Sequence, residues 1–406
     1  MNRSLWAAWL LVLAAGCSPK AAPVKPAPPA TATPSAPAVT PPISPTAPAP
    51  EVPAAPPVDQ AKLGEELAKL GVTVSRFGDV ELSADALTAD GDFKPGVAPK
   101  LVQLESARAV KALDLPAFGV GAGKAVAAIP GLKRIDLWRT RATDAGIAAL
   151  GGCPTLEQLD FNNGSGDHPI VSDAGLAGLA GLKNVTSLQC ERGTITGAGL
   201  AAVAGFTKLE DLNLNGCPVD DAAGPHLAKL AGLERMNLAG SKVTAAALAL
   251  LKGNAKLRGL NLDRTDLTDA DVKGLAALTQ ITGLALGGTK VTDAGLAPLV
   301  GMPMLTNLGL ARTAVTDAGA AALAKSKSLA SFDLSGTKMA DAGIASLAAM
   351  PALNGLTLYG LPLTDASLEA LAKAPKLSTL WLGSNTITEA GFAKFAAARP
   401  KVNVFK

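Results

Sequence analysis

The chain has 406 residues, a formal charge of only +3, 17% charged side chains and 3% aromatics. No Lys/Arg cluster is interleaved with aromatic residues, which argues against nucleic-acid binding. With so many alanines, stability has to come from close stacking of small side chains, not from bulky packing.

Residues 1–16 read as an address. Arg3 gives a basic start, Leu5 to Ala15 is an apolar run too short to span a membrane, and Ala14-Ala15-Gly16-Cys17 closes it. Small residues directly before a cysteine resemble the lipobox of bacterial lipoproteins. That resemblance implies that Cys17 opens the mature chain and carries a lipid. The protein would then be exported and lipid-anchored in the bacterial cell envelope, at an outer or periplasm-facing membrane. An ordinary signal peptide with a chance cysteine is the alternative. Residues 17–58 are almost entirely Pro, Ala, Thr and Val after the cysteine, a composition that buries no core and favours extended polyproline II. At about 3.1 Å per residue the stretch would reach at most on the order of 120 Å. It serves as a stalk or as a disordered linker with no spacing role. Residues 59–131 are less periodic. Ala61 to Leu70 predicts an amphipathic helix and Val72 to Val74 a strand. Val110 to Leu115, followed by Val120, Val126 and Ile129, is a degraded copy of the repeat described next. This region is expected to cap the open end of a repetitive core.

From Leu132 to Ala398 one unit recurs eleven times, marked at Asp144, Asp173, Gly197, Asp221, Ala245, Asp269, Asp293, Asp317, Asp341, Asp365 and Glu389. Every step is 24 residues except the first, where five extra residues precede Asp173. Such a period signals a solenoid whose units cannot fold singly. In the cleanest copy, Ile281, Leu284 and Leu286 alternate like a half-buried strand, Val291 is a further inward anchor, and Leu296 to Leu299 reads as a short helix. Thr292 or Asp293 is placed to accept the free helix N–H groups, and Gly301-Met302-Pro303 turns the chain into the next strand. Pro225 and Pro298 fall inside expected helices and should leave them short or partly 3₁₀. Residues 399–406, with Val402 and Val404 alternating, form a closing half-strand at the C-terminal end.

The unit resembles the short bacterial form of the leucine-rich repeat, with V-T-D-A-G-L after the strand. The resemblance implies an α/β solenoid, a horseshoe with a concave parallel sheet and short helices on its convex side. Many family members place Asn or Cys where the strand turns away, bonding the neighbouring rung. Here that column holds Thr140, Cys217, Ser241, Thr265, Thr289, Thr313, Thr337, Leu361 and Asn385. Threonine hydroxyls could bridge in the same way; Leu361 could not, so its rung should be less regular.

Little points to catalysis, a cofactor or a metal. His168 and His226 belong to no triad or metal-ligand spacing. Asp167-His168 in its Gly-rich loop reads as an exposed pair, with a metal site or a hydrolase built on His168 as the minor alternatives. The Asp column from Asp269 to Asp365 reads as helix capping rather than stacked cation sites. Cys153, Cys190 and Cys217 are too few for a disulfide framework. Cys190 and Cys217 fall at buried positions of the repeat, and Cys153 in a turn.

The repeat leaves certain strand positions free to face the sheet surface. Asp136, Asp160 and Trp381 lie in the middle column, Trp138, Glu191, Asp263 and Tyr359 two residues further on, and Arg139, Arg192, Arg264 and Arg312 one beyond. Trp, Tyr and Arg are enriched at binding hot spots. The expected surface is roughly 50 Å long at about 4.8 Å per strand, with a bare floor near Gly287 and Gly309. The aromatics either contact a partner or merely cover the ends of the sheet. The resulting expectation is a membrane-anchored, non-catalytic scaffold that binds a macromolecule, a protein first, on its concave face. A surface protein binding polysaccharide or peptidoglycan is the alternative.

Overall fold

The computed structural model describes residues 58–105, 107–162 and 171–406. The leader, Cys17, the Pro-rich stretch and the Asp167–His168 loop lie outside the described residues. Gln60 to Lys406 forms one compact unit. It begins with a helix at Gln60–Ala68 and a strand at Val72–Val74, which pairs antiparallel with Asp79–Leu82. Every later strand joins in parallel and in chain order, ending with Asn403–Phe405 and making a sheet of 15 strands among the described residues.

Strict register explains why so short a strand suffices. Leu260, Leu284, Leu308 and Phe332 are successive partners across four rungs, so each apolar side chain lands on its equivalent. Leu284, Leu286, Val291, Leu296 and Leu299 are all fully buried in one continuous core. Between strands the chain returns through a short helix or 3₁₀ turn. At both prolines the return is split as expected, into Asp221–Ala223 and Gly224–Leu227, and into Asp293–Gly295 and Ala297–Val300, with Pro near each second start. This ladder is an open leucine-rich-repeat solenoid.

The polar columns work differently from the sequence expectation. Thr292 caps its own helix, accepting from the Ala294 N–H at 3.3 Å. Asp269, one rung earlier, caps nothing of its own. Its two carboxylate oxygens accept from the Thr292 N–H at 2.7 Å and the Thr292 hydroxyl at 2.6 Å. Asp293 does the same to Thr316, Asp341 to Thr364 and Asp365 to Thr388. The Asp column is therefore a clamp between rungs, and threonine is the cap. Glycine follows in the motif because this carboxylate needs its space: a Cβ on Gly295 would overlap Asp269 Oδ1 and lie 3.2 Å from its Cγ and Cα. Where Ala245 lacks the carboxylate, Asp271 of the next rung folds back to accept from the Ala245 and Thr268 N–H groups.

The turn column also needs correction. The hydroxyls of Thr265, Thr289, Thr313 and Thr337 donate to the carbonyl three residues earlier in their own rung, at 2.6–2.8 Å. In these four rungs the threonine hydroxyl is used up on its own backbone and makes no bridge. Among the described residues of this column Thr140, onto Ala112 O, and Cys217, onto Cys190 O at 2.9 Å, reach back. Buried Asn254 supplies the longer bridge elsewhere, donating to Leu227 O and Leu230 O. The rung of Leu361 is not less regular. Its strand extends to five residues, Gly355–Tyr359, in register with Thr379–Gly383, and Leu361 is simply buried. Cys153, Cys190 and Cys217 are buried free thiols. Burial pushes Cys190 well up and Cys217 to about 12, so both stay protonated at neutral pH.

Candidate partner-binding face

The sheet registers align Asp136, Asp160, Gln189, Asn213, Asn237, Asn261, Ala285, Gly309, Asp333, Thr357 and Trp381 in one column. Most of this column serves the backbone. Asp136, Asp160, Asn213, Asn237, Asn261 and Asp333 each accept from the N–H two residues on, at 2.9–3.1 Å. Such a bond fixes the bend that ends the strand. Asp136 is only 5% exposed, with Arg134 beside its other oxygen. It holds a turn and offers little to a partner, contrary to its reading as a contact. Asp160 is partly exposed and shares the turn bond.

The next column is more open. Trp138 is half-buried with the Arg139 guanidinium 5.1 Å above its ring, and Arg139 also pairs with Asp114 at 2.9 Å. Glu191 accepts from the Asn213 amide at 2.9 Å. Asp263 takes the Gly287 N–H at 2.6 Å. Burial pushes its carboxyl up to about 6, with Asp333 adding and the Gly287 N–H and Arg264 opposing. Ala285, Gly287 and Gly309 form the bare floor.

Tyr359 is 39% exposed, and its ring lies over the next rung's glycine, since a Cβ on Gly383 would come within 2.5 Å of Tyr359 Cδ1. Trp381 stacks on Phe405 with centroids 3.9 Å apart and planes 13° from parallel. The C-terminal end of the face is thus an aromatic platform of Tyr359, Trp381 and Phe405. Trp381 both covers the end of the sheet and, half-buried, faces outward. Sequence reasoning missed Phe405. The alternation of Val402 and Val404 was the available signal, because it turns Phe405 to the face. It also missed Asp211 and Arg235 at the opposite edge of the strands, paired at 3.3 Å. Burial raises Asp211 despite that arginine, and its Oδ1 is buried without a hydrogen bond.

Arg139, Arg192, Arg264 and Arg312 share an unusual backbone. Their φ angles are 56–57°; at the same repeat position Gly216, Gly240, Gly288, Gly336 and Gly360 have φ of 63–75° and Ser384 has 51°. The left-handed turn lets the residue keep a strand bond, as Arg264 N–H does to Gly287 O at 2.7 Å, while the chain turns away. It disfavours residues bearing a Cβ by about 1–2 kcal/mol each, which glycine avoids.

Among the described residues no cluster of three or more His, Cys, Asp and Glu side chains is placed to hold a metal, and no helix is long and apolar enough to cross a membrane. His226 sits in the Gly224–Leu227 helix, away from the sheet face.

No protein-family model matches the chain, and no curated protein matches it. Among solved structures it is similar to an internalin, InlF, from Listeria monocytogenes, at 20% identity over 76% of this chain and 88% of the internalin, TM-score 0.48. Internalin C2 of the same species is 24% identical over 53% of this chain and 84% of its own, TM-score 0.37. A leucine-rich-repeat protein of Leptospira interrogans is 15% identical over 85% and 98%, TM-score 0.45. The parallel ladder and its in-step registers define the solenoid.

Proposed function

We propose that the chain is a non-catalytic scaffold that captures a protein partner on the outward face of its sheet, tethered to the bacterial envelope by a lipid on Cys17. The observation that carries the reading is the uncovered sheet face, with Trp138 and Arg139 near one end and Tyr359, Trp381 and Phe405 at the other. Large amphipathic side chains flanking a flat floor are the kind that supply interface hot spots. Cross-linking in intact cells from positions beside Tyr359 would identify the partner. Replacing Trp138, Arg139 and Tyr359 together by alanine should weaken its capture at least on the order of tenfold with the circular dichroism spectrum unchanged. Unchanged capture rejects this face. A Cys17→Ser chain that stays in the membrane fraction rejects the anchor.

The aromatic platform gives a second reading some support, since stacked rings also suit sugars. A neutral-glycan pull-down lost on Tyr359→Ala, with no protein cross-linked, would replace the first reading by the second.

A further inference from the structure

The loops that leave the strands carry their own charge pattern. Two repeat positions on this edge, the left-handed one and the residue two beyond it, hold Arg139, Arg141, Arg192, Lys242, Arg264, Lys290, Arg312 and Lys338, all exposed. Between Arg139 and Lys338 the only carboxylate at these positions among the described residues is Asp266, paired with Lys290 at 2.7 Å. Eight cations on one edge of a chain whose total charge is +3 mean that the rest of the molecule is net acidic. The segregation is spatial, not compositional.

Two further observations set this edge apart. Four of the cations stand where glycine is the unstrained choice. Three of those arginines are followed, one rung on, by a glycine whose missing side chain makes room for the arginine stem. A Cβ on Gly216, Gly288 or Gly336 would come within 3.2, 3.4 and 3.3 Å of Arg192, Arg264 and Arg312 Cγ. Each stem is therefore packed along the stack of rungs. Arg192, Lys242, Arg312 and Lys338 make no ion pair among the described residues.

We infer that this edge is a binding rim for a linear anionic polysaccharide, lying along the stack with its carboxylates on the cations. A polyuronate carries one carboxylate per ring, a spacing of the same order as the rung spacing of about 4.8 Å. Among the described residues the two rim positions hold no large apolar side chain of the kind that anchors a protein interface. Among the described residues those positions hold no aromatic ring to stack nucleic-acid bases, Trp138 lying beside them. The inference does not depend on what the sheet face holds.

The test uses the full chain and alginate, with neutral dextran, poly-L-glutamate and double-stranded DNA as comparisons. Alginate should bind at low salt and be released as salt rises, and dextran should not bind. The combined variant Arg192→Gly, Arg312→Gly, Lys242→Ala and Lys338→Ala should weaken alginate on the order of tenfold or more. The arginines go to glycine because the backbone there favours it, so the variant keeps its fold. Tyr359→Ala should leave alginate binding unchanged, which separates this rim from the proposed partner face. No alginate binding, or equal binding by the rim variant, overturns the inference. So does binding of poly-L-glutamate or DNA as tight as that of alginate, which would show a generic polyelectrolyte patch.

Discussion

The clamp between rungs predicts a strong coupling between Asp269 and Gly295. Asp269→Ala removes a carboxylate that accepts at 2.7 and 2.6 Å from Thr292. Hydrogen bonds to a charged group contribute roughly 1.5–3 kcal/mol each when buried. Here the site is partly exposed and water can replace the carboxylate, so the loss should be about 2 kcal/mol in total. Gly295→Ala alone forces a methyl into Asp269 Oδ1. Overpacking of this kind costs about 1–3 kcal/mol, offset by about 0.5–1 kcal/mol from replacing glycine in a helical turn. In the Asp269→Ala background the obstructing oxygen and Cγ are gone, and the backbone Cα stays at 3.2 Å. The same Gly295→Ala change should then be neutral or slightly stabilising. The coupling is therefore expected at about 1–2 kcal/mol, above the few tenths that independent sites show. Urea unfolding of the four chains, followed by far-UV circular dichroism and compared at equal slope, measures it. If Gly295→Ala costs the same in both backgrounds, the carboxylate does not occupy that space and the clamp is wrong.

Stability should also depend on pH through Asp263. Its carboxyl is raised to about 6, so between that value and the unfolded value near 3.9 the folded chain holds a proton that the unfolded chain lacks. Stability must then rise as pH falls from 7 towards 4, by at most on the order of 3 kcal/mol at about 1.36 kcal/mol per pH unit. Partial exposure reduces this. Below that window the trend reverses. Asp341 is held below its usual value, burial being outweighed by the Ser367 and Thr364 hydroxyls and nearby N–H groups, and Asp365 is lowered chiefly by Thr388. Their contribution is lost as they protonate. Asp263→Asn should remove most of the rise in thermal midpoint between pH 7 and 5, the raised Asp211 supplying the remainder, and an unaltered profile refutes the assignment. Arg312→Gly should stabilise by about 0.5–1 kcal/mol, the relief of a left-handed Cβ less the extra freedom of unfolded glycine. A lower denaturation midpoint would refute that strain argument. Arg399 donates to Ala372 O, Ala374 O and Leu377 O at the last rung. Arg399→Ala should cost about 2 kcal/mol and raise amide exchange first in Thr379–Gly383. Exchange rising equally along the solenoid would contradict a local closing role.

The fold was legible because the leucine columns obey one geometric rule. A 24-residue period that returns Leu260, Leu284 and Leu308 to the same inward position admits only a stacked solution, and the registers are those of the period. The polar columns were harder. Thr and Asp stand side by side in five of the eleven units, as at Thr292-Asp293, and both residue types suit a cap equally well. Only the stacking shows that Thr292 caps while its partner is Asp269, 23 residues back. A repeat hides such assignments, because the right partner and the wrong one have the same residue type and differ only by a rung. The threonines after the strand show the same ambiguity, and there the bond closes within the rung.

The candidate face was legible as a place but not as a surface. Strand alternation correctly aligned Asp136 through Trp381, yet it cannot tell a side chain turned to a partner from one folded onto its own backbone. Asp136 and Asn213 are polar and outward by pattern, and both are buried by the turn they hold. The left-handed arginines carried the opposite kind of information. Their strain is invisible in sequence until the column is seen to alternate with glycine. Glycine at Gly216, Gly240, Gly288, Gly336 and Gly360 shows that the backbone geometry needs no side chain there. The four arginines, like Ser384 with its φ of 51° in the same column, are then not required by the backbone geometry; Arg139 sets its pair with Asp114, and Arg264 its bond to Asn215, against that strain.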